Sequence, residues 1–262
     1  MRSTSGDSPV VFLGPTLEQH VAAAAVPEAD VRGPAAVGDV YRAVVDGATT
    51  ILLIDGFYER VPAVWHKEIL WVLSRGVRVL GAASMGALRA AELWSFGMVG
   101  IGGIFEDFRD GRLVADDEVA VLHQQAMGGH RPLSVALVDI RATLAKAVAA
   151  GVIEQRTADL MLATAARSFY PDRDYETLTR ALRGSEVEDG ELRSLAGWLP
   201  AGQVSRKRDD ALLALDRLAS AHEGHMEPSP VPFRFAHTHQ WQLLVDTEGR
   251  HMPGPSPAEV VP

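Results

Sequence analysis

Ser84 is the residue of this chain best placed to act as a nucleophile, because it lies between an apolar run that predicts a strand and a pattern that predicts a helix. A serine on such a turn presents its hydroxyl at the carboxyl end of the sheet, where α/β folds bind ligands. The amides of Met85 and Gly86 would be free to hold an anion or a developing oxyanion. The G-x-S-x-G elbow pattern is not met, because residue 82 is Ala. An ordinary helix N-cap, or an anion-binding loop without chemistry, is the alternative.

A serine nucleophile needs a base, and Lys67 is the lysine that the pattern offers. A helix predicted to begin at Pro62 leaves the carboxyl end of a strand, so its first two turns lie near the sheet edge where Ser84 emerges. As a base, Lys67 would need its pKa lowered from about 10.4 toward 7, at a cost of about 4 kcal/mol. Burial beside neighbouring tryptophans, with Arg89 nearby, could produce that shift. The alternative for Lys67 is a surface residue paired with a neighbouring glutamate.

Other polar residues have less defined roles. Lys146 and Lys207, the remaining two lysines, lie in helical patterns that predict solvent exposure. His66 is the histidine of this strand–helix–strand unit and could support Lys67. Asp55 ends a predicted strand, where it could orient Lys67 or hold a metal, although an Asp-Gly turn is the simpler role.

Two further groups could hold metal ions. Six carboxylates lie between Glu106 and Glu118, but helix capping by Asp116 and solvation of the rest are the simpler expectation. The pairs His222/His225 and His237/His239 lie in a cysteine-free, Pro-rich context, which makes zinc a weak hypothesis. We expect neither a metal nor a cofactor.

The composition narrows the class of protein. The 262 residues carry a formal net charge of −9, which argues against a general nucleic-acid binder. Cysteine is absent, so disulfides, thiolate catalysis and Cys-based metal sites are excluded. The first residues do not resemble a signal peptide, and no apolar run reaches 18 residues. We therefore expect a soluble, cytoplasmic protein with no membrane partner.

Alternating strand and helix patterns in the first half predict an α/β core with a small, mostly parallel sheet and flanking helices. A strand, a helix of about 12 residues and a second strand imply a parallel pair with a right-handed crossover. The predicted strands are 10–13, 50–54 and 77–80. The predicted helices are 16–25, capped by Thr16, then 38–45, 62–74 and 85–96, followed by a glycine-rich loop over 97–103 and a helix over 119–126.

The second half predicts mainly helices, with apolar residues three or four positions apart. The helices expected are 134–150, 155–168, 173–183 and 205–221, and the alternating run 233–245 predicts a late strand. The expected organisation is a tail over 1–9, an α/β core over 10–130, a helical region over 131–225 and a partly mobile, Pro-rich segment over 226–262. The last ten residues are expected to be mobile.

Several segments of the chain resemble the TfuA-like family. They are FLGPTL at 12–17, LIDG at 53–56, VPAVWHKEIL at 61–70, GAASMGALRAAEL at 81–93, FGM at 96–98, DDEVA at 116–120 and LH at 122–123. The similarity is close over about residues 10–125 and loose to about 175. The two long motifs, at 61–70 and 81–93, stand at the separation found in the family, which makes the resemblance specific.

The resemblance implies a role in peptide backbone thioamidation, beside a YcaO enzyme that activates a backbone amide with ATP. TfuA-like proteins are associated with hydrolysis of the C-terminal thiocarboxylate of a ubiquitin-like sulfur-carrier protein of the ThiS type, which releases sulfide for the YcaO step. The family's hydrolase-like site features a Ser–Lys pair, which falls on Ser84 and Lys67 of this sequence.

The mechanism implied makes Lys67 the base and Ser84 the nucleophile, with the oxyanion held by the amides of Met85 and Gly86. Arg89 would bind the charge of the carrier's tail, unless it pairs with Glu92. A slot formed by the glycines of 97–103 would admit a slim Gly-Gly tail.

Two other functions remain open from the sequence. A non-catalytic adaptor would bind YcaO and the precursor peptide, with the Ser84 region as a tail-binding notch. A nucleotide-binding α/β protein is less favoured, because no P-loop or G-x-G-x-x-G follows a strand.

Overall fold

A five-stranded parallel sheet forms the centre of the molecule, as the alternating patterns predict. The computed structural model describes residues 8–59, 61–126, 129–223 and 231–251. The strands are β1 (Val10–Phe12), β2 (Asp30–Arg32), β3 (Thr50–Leu53), β4 (Arg78–Ala82) and β5 (Val99–Ile101). Their order is β2-β1-β3-β4-β5, with every pair parallel. The chain is thus an α/β protein.

Helices follow the strands and then dominate the second half. The first five are α1 (Gln19–Ala25), α2 (Asp39–Val45), α3 (His66–Ser74), α4 (Met85–Leu93) and α5 (Gly103–Arg109). An antiparallel hairpin of β6 (His123–Ala126) and β7 (Gly129–Pro132) comes next. The remaining helices are α6 (Leu137–Ala149), α7 (Gln155–Arg167), α8 (Tyr175–Leu182), α9 (Asp189–Gly202), α10 (Arg206–Glu223) and α11 (His239–His251).

The sheet is covered on both faces, because successive side chains of a strand point in opposite directions. Ile51 and Leu53 of β3 pack against α2 to α5. Leu52 and Ile54 pack on the other face, against α1 and α10. A separate apolar cluster joins α6, α7, α8 and α9. The helical second half therefore has its own core and also returns one helix, α10, to the sheet.

Several predicted helices form where expected, but two begin later. The helix expected from Thr16 begins at Gln19, because the Thr16 hydroxyl donates a hydrogen bond to Asp55 instead of capping a helix. The helix expected from Pro62 begins at His66. Over 134–183 and 205–221, helices α6, α7, α8 and α10 match the expected ranges closely.

Three expected elements are wrong, each for a packing reason. The glycine-rich loop over 97–103 contains β5, in which Gly100 leaves space for the ring of Phe105. The helix expected over 119–126 is replaced by β6, because the Leu133 amide pairs with the Leu122 carbonyl and closes a hairpin. The late strand expected over 233–245 is an irregular segment followed by α11, whose Trp241 packs inward.

Some expectations fall on parts of the chain outside the described residues. These are most of the N-terminal tail over 1–9, residue 225 of one histidine pair, and the last ten residues. The side chain of residue 222 is outside them as well. Within the part that the structure describes, no helix is both long and apolar enough to cross a bilayer.

Candidate functional site

A cavity of about 230 Å³ opens at the carboxyl ends of β1, β3 and β4. Its floor includes Pro15, Asp55, Gly56, Ser84 and Met85. Strand β1 lies between β2 and β3, so the chain reverses its direction of travel across the sheet at this point. Open α/β sheets bind ligands in the crevice at such a switch point. The cavity therefore lies where this fold class places its sites.

The backbone before Ser84 is strained. Ala83 has φ +65°, and the Ser84 amide donates to the carbonyl of Ala82 at 2.7 Å. This is a γ-turn of the rare type with positive φ at its central residue. A non-glycine residue held there costs on the order of 1–3 kcal/mol, and such strain clusters at functional sites. The turn ends β4 abruptly and places Ser84 at the start of α4.

Ser84 occupies the N-cap position without capping the helix by its side chain. The Ser84 carbonyl accepts from the amides of Ala87 and Leu88, but its hydroxyl makes no capping hydrogen bond. Only 8% of the residue is exposed, and it lines the cavity. The N-cap position therefore accounts for the backbone of this serine, while its hydroxyl caps no helix and the residue lines the cavity.

The two predicted oxyanion donors differ in the structure. The Met85 amide, the first of α4, has no hydrogen-bond acceptor among the described residues, and Met85 lines the cavity. The Gly86 amide donates to the carbonyl of Ile54 at 3.1 Å and is not free. A Cβ on Gly86 would lie 1.8 Å from the Leu53 carbonyl oxygen, so this glycine permits close packing of α4 on β3.

Asp55 fixes the loop that follows β1. Its carboxylate accepts from the Gly14 amide at 2.8 Å, the Thr16 amide at 3.1 Å and the Thr16 hydroxyl at 2.6 Å. These donors hold a nearly fully buried carboxylate at the cavity floor. Among the described residues, no group of three or more His, Cys, Asp or Glu could hold a metal ion. The Asp55 hydrogen bonds thus connect β3 to the β1 loop.

Lys67 lies outside the group of residues that line the Ser84 cavity. Its Nζ lies 4.7 Å from the centre of the Phe235 ring, in a cation–π contact. Phe235 belongs to the segment before α11, and it packs against Trp241 with ring centres 5.2 Å apart. The described geometry therefore joins Lys67 to the C-terminal segment.

His66 and Arg89 connect α3 to α4. The Nε2 atom of His66 lies 2.7 Å from a carboxylate oxygen of Glu92. Arg89 donates to the same oxygen at 2.7 Å and to the carbonyl of Val64 at 3.0 Å. The ion pair between Arg89 and Glu92, the alternative to tail binding, is thus formed. Neither His66 nor Arg89 lines the cavity.

Two histidines that were not predicted as site residues from the sequence also line this cavity. His123 of β6 and His130 of β7 bring their Nδ1 atoms to 3.1 Å from each other. The ring of Phe57 lies against both, with ring centres 5.9 and 6.4 Å away. Burial lowers the pKa of His130, and the nearby charge of Asp55 opposes that effect. Their only sequence signal was the Leu122-His123 pair in the family motif.

Lys207 is a third residue whose place in the structure its sequence pattern did not predict. It was expected to face solvent, and this is wrong, because α10 packs on the sheet and leaves the residue 3% exposed. Its ammonium donates to the carbonyl of Val119, a cavity residue, at 2.8 Å. Burial lowers the pKa of Lys207, while the charges of Asp55 and Asp139 raise it.

The acidic group over 106–118 has separate structural roles. Arg173 donates to Asp117 at 2.6 Å, and Arg141 donates to Glu118 at 2.8 and 3.1 Å. Asp116 lines the cavity, where burial together with this carboxylate raises the pKa of Tyr58 to about 12. These carboxylates hold the second half of the chain against the cavity.

The family comparison covers most of this site. The model described as TfuA-like protein matches residues 55–174, which include Asp55, Lys67, Ser84, His123 and His130. Lys207 lies beyond the matched range. No curated protein matches the chain. Residues 55–174 of this chain are therefore similar to the TfuA-like family, as its motifs predicted.

Proposed function

We propose that this protein is a hydrolase in which Ser84 attacks the C-terminal thiocarboxylate of a ubiquitin-like sulfur-carrier protein. The observation that carries the proposal is Ser84 itself, which lines a cavity from a strained turn and whose hydroxyl makes no capping hydrogen bond. The substrate class comes from the resemblance to the TfuA-like family.

The proposed reaction has two steps. The Ser84 oxygen attacks the thiocarboxylate carbon, the carbon–sulfur bond breaks, and the hydroxyl proton leaves with sulfur as hydrogen sulfide anion. Water then attacks the acyl-serine, which returns the carboxylate and the Ser84 hydroxyl. The Met85 amide, at the start of α4, would hold the oxyanion in both steps, and the support for this role is that the amide has no acceptor among the described residues.

The lining of the cavity fits the slim, uncharged Gly-Gly tail of a carrier protein better than a phosphate group. Asp55 and Asp116 contribute carboxylates, and no lysine or arginine is among the described residues that line it. A polyphosphate would bring several negative charges against these two carboxylates, whereas a thiocarboxylate brings one. This observation disfavours the nucleotide-binding alternative.

Lys67 is the base that the resemblance implies for Ser84. Its ammonium lies over Phe235, so this role requires the side chain to turn toward α4. A Lys67→Met variant that stays folded and loses hydrolysis would assign the role to Lys67. Sulfide released in this way would serve a YcaO enzyme in peptide thioamidation.

A non-catalytic adaptor is the second candidate, and one observation favours it. Trp65, Trp94 and Phe96 are each at least 39% exposed, and large exposed aromatic side chains are common at protein–protein interfaces. An adaptor would use them to bind YcaO or the precursor peptide. Both roles could reside in one chain, so the test must separate them.

Intact-mass spectrometry of a thiocarboxylated ThiS-type carrier separates the two functions. We expect the wild-type protein to convert the thiocarboxylate into the carboxylate and the Ser84→Ala variant to lose this activity. Ser74→Ala is the matched control, because the Ser74 hydroxyl is committed to the Trp71 carbonyl at the end of α3. A carrier left unchanged by the wild-type protein, with and without YcaO, would refute the hydrolase and leave the adaptor.

A further inference from the structure

We propose that a second cavity, of about 200 Å³, binds a carboxylate group through Lys207, Tyr175 and Ser134. The carboxylate belongs either to a small free acid or to the C-terminus of a peptide. This second cavity lies beside the first, and the two share Pro15 and Val121 in their linings. Neither the proposed nucleophile nor the proposed base lines it, so the proposal is independent of the proposed hydrolase function.

Lys207 brings a buried positive charge to the second cavity. The residue is 3% exposed, and its ammonium donates a hydrogen bond to the carbonyl of Val119 at 2.8 Å. A lysine ammonium has three N–H donors, so two of them are left without an acceptor among the described residues. Within the same part of the chain it forms no ion pair, although the charges of Asp55 and Asp139 act on it. Because a buried charge is costly without a direct partner, an anion in the cavity would be stabilised there.

Two buried hydroxyl groups in the lining each have a proton to donate. The Tyr175 hydroxyl is buried and has no hydrogen-bond partner among the described residues. The nearby Thr143 hydroxyl is engaged with the amide and the carbonyl of Val204. The Ser134 oxygen accepts from the Leu122 amide at 2.8 Å, and the described structure offers no acceptor for its proton. An unpaired buried donor is costly, which favours a ligand that accepts hydrogen bonds.

Asp139, on α6, lies near both Lys207 and Tyr175. Its carboxylate accepts from the Ser205 hydroxyl at 3.2 Å and from the Lys207 backbone amide at 3.3 Å. Burial raises the pKa of Asp139, and the charge of Lys207 opposes this effect. Burial, with a contribution from the charge of Asp139, raises the pKa of Tyr175 to about 12, so the phenol stays protonated at neutral pH. The ammonium and the phenol therefore lie within electrostatic range of one carboxylate.

The groups left open in the lining are donors, which specifies the chemistry of the ligand. A metal ion or an ammonium group would need free oxygen acceptors, but each carboxylate oxygen of Asp139 already accepts a hydrogen bond. A phosphate dianion would bring two negative charges beside Asp139, whereas a carboxylate brings one and accepts several hydrogen bonds. The exposed residues Pro132 and Gln203 belong to the lining, so the cavity is open to such a ligand from solvent.

Isothermal titration calorimetry with acetate, N-acetylglycine and N-acetylglycinamide tests the proposal. Acetate is a free carboxylate, N-acetylglycine mimics the C-terminus of a peptide, and the glycinamide has nearly the same shape without the charge. We expect saturable binding of at least one of the two carboxylates, and binding of the glycinamide that is weaker by about 20-fold or more. Inorganic phosphate should bind about 10-fold more weakly than the better carboxylate, because of its second charge beside Asp139.

Two variants locate the binding in the second cavity. Lys207→Met removes the ammonium and should weaken carboxylate binding by about 50-fold or more. Tyr175→Phe removes only the unpartnered hydroxyl and should weaken binding by about 10-fold. Its thermal midpoint without ligand should stay at or above the wild-type value, because this hydroxyl has no bond to lose, so Tyr175→Phe decides the test even where Lys207→Met fails to fold. Lys146→Met and Tyr41→Phe are the matched controls, since neither residue lines the cavity.

The outcomes also separate the two sources of the carboxylate. Carboxylate binding that is weakened in Tyr175→Phe and unchanged in the controls supports the proposal. Acetate bound as tightly as N-acetylglycine then indicates a small free acid, and a preference for N-acetylglycine indicates a peptide C-terminus. Saturable binding of neither carboxylate, equal or tighter binding of the glycinamide or of phosphate, or equal carboxylate affinity in Tyr175→Phe and the wild-type protein overturns the proposal. No probe is a thiocarboxylate, so such a failure leaves the proposed hydrolase untouched.

Discussion

Glu68 should make the stability of this protein fall as the pH rises through neutrality. It is fully buried near the start of α3, where its carboxylate accepts from the amides of Trp65 at 2.9 Å, Gly38 at 3.0 Å and Tyr41 at 3.3 Å. Burial raises its pKa from 4.5 to about 7, and these amides oppose the rise. The folded protein therefore binds this proton more tightly than the unfolded chain does.

The size of the effect follows from the pKa difference. A rise from 4.5 to about 7 corresponds to roughly 3 kcal/mol at about 1.4 kcal/mol per pKa unit. The pKa is raised on folding, so this contribution is fully present below pH 4.5 and is lost as the pH rises through 7. Most of the change lies between pH 5 and 8.

Glu68→Gln removes the titration and keeps a carbonyl acceptor for the amides. We expect the unfolding free energy of the variant, minus that of the wild-type protein, to rise by roughly 3 kcal/mol from pH 4.5 to 8. Urea unfolding at four pH values in this range measures the difference. Glu18→Gln is the control, because hydrogen bonds to its own backbone and to Arg208 lower the pKa of Glu18 and leave it ionised above pH 6.

The test of this prediction is how the difference in unfolding free energy between Glu68→Gln and the wild-type protein changes with pH. A difference between Glu68→Gln and wild type that stays constant across the pH range, or falls as the pH rises, would refute the argument. In that case the backbone amides would dominate over burial, and Glu68 would be a carboxylate that stabilises the fold at neutral pH.

Two further predictions concern packing. Gly86→Ala should lower the unfolding free energy by roughly 3 kcal/mol or more, because a Cβ would lie 1.8 Å from the Leu53 carbonyl oxygen. In the control Gly190→Ala the new Cβ meets nothing within 4 Å, so the unfolding free energy should stay within about 1 kcal/mol of the wild-type value. Equal thermal midpoints for the two variants would contradict this prediction. Trp241→Ala should lower the unfolding free energy measured with urea by about 3–5 kcal/mol, because Trp241 is 2% exposed. The control Trp94→Ala, at a 54% exposed site, should lower it far less. Similar losses in the two variants would show that α11 adds little stability.

The sheet was predictable from local patterns, but the elements that close the cavity were not. Apolar runs ending in glycine or Asp-Gly identified β1, β3 and β4, because buried parallel strands are continuously hydrophobic. The polar strand β6 carries no such signal, and its pairing with β7 depends on contacts beyond its own sequence. The histidine pair was missed for this reason, because only the hairpin brings the two rings together.

The exposure of Lys146 was predictable from its helical pattern, whereas the burial of Lys207 was not. The charged residues around Lys207 give α10 the pattern of a surface helix, with several arginines and aspartates in its first turns. Only the sheet explains why Ala211 and Ala214, two small residues, are fully buried beneath it. A small apolar stripe is ambiguous until its partner surface is known. For the same reason, the contact between Lys207 and the Val119 carbonyl at the cavity could not be predicted from the sequence.

The return of α10 to the sheet has a consequence for how the chain folds during synthesis. Leu52 and Ile54 emerge from the ribosome early, yet the helix that covers them contains Leu215 and Leu218. About 160 residues must be translated in between, so the part of this face that α10 covers stays exposed for most of synthesis, with only α1 available to cover the rest. Contacts so distant in sequence slow folding and leave apolar surface open to aggregation. A chaperone that holds hydrophobic segments should therefore bind the nascent chain until α10 has been made.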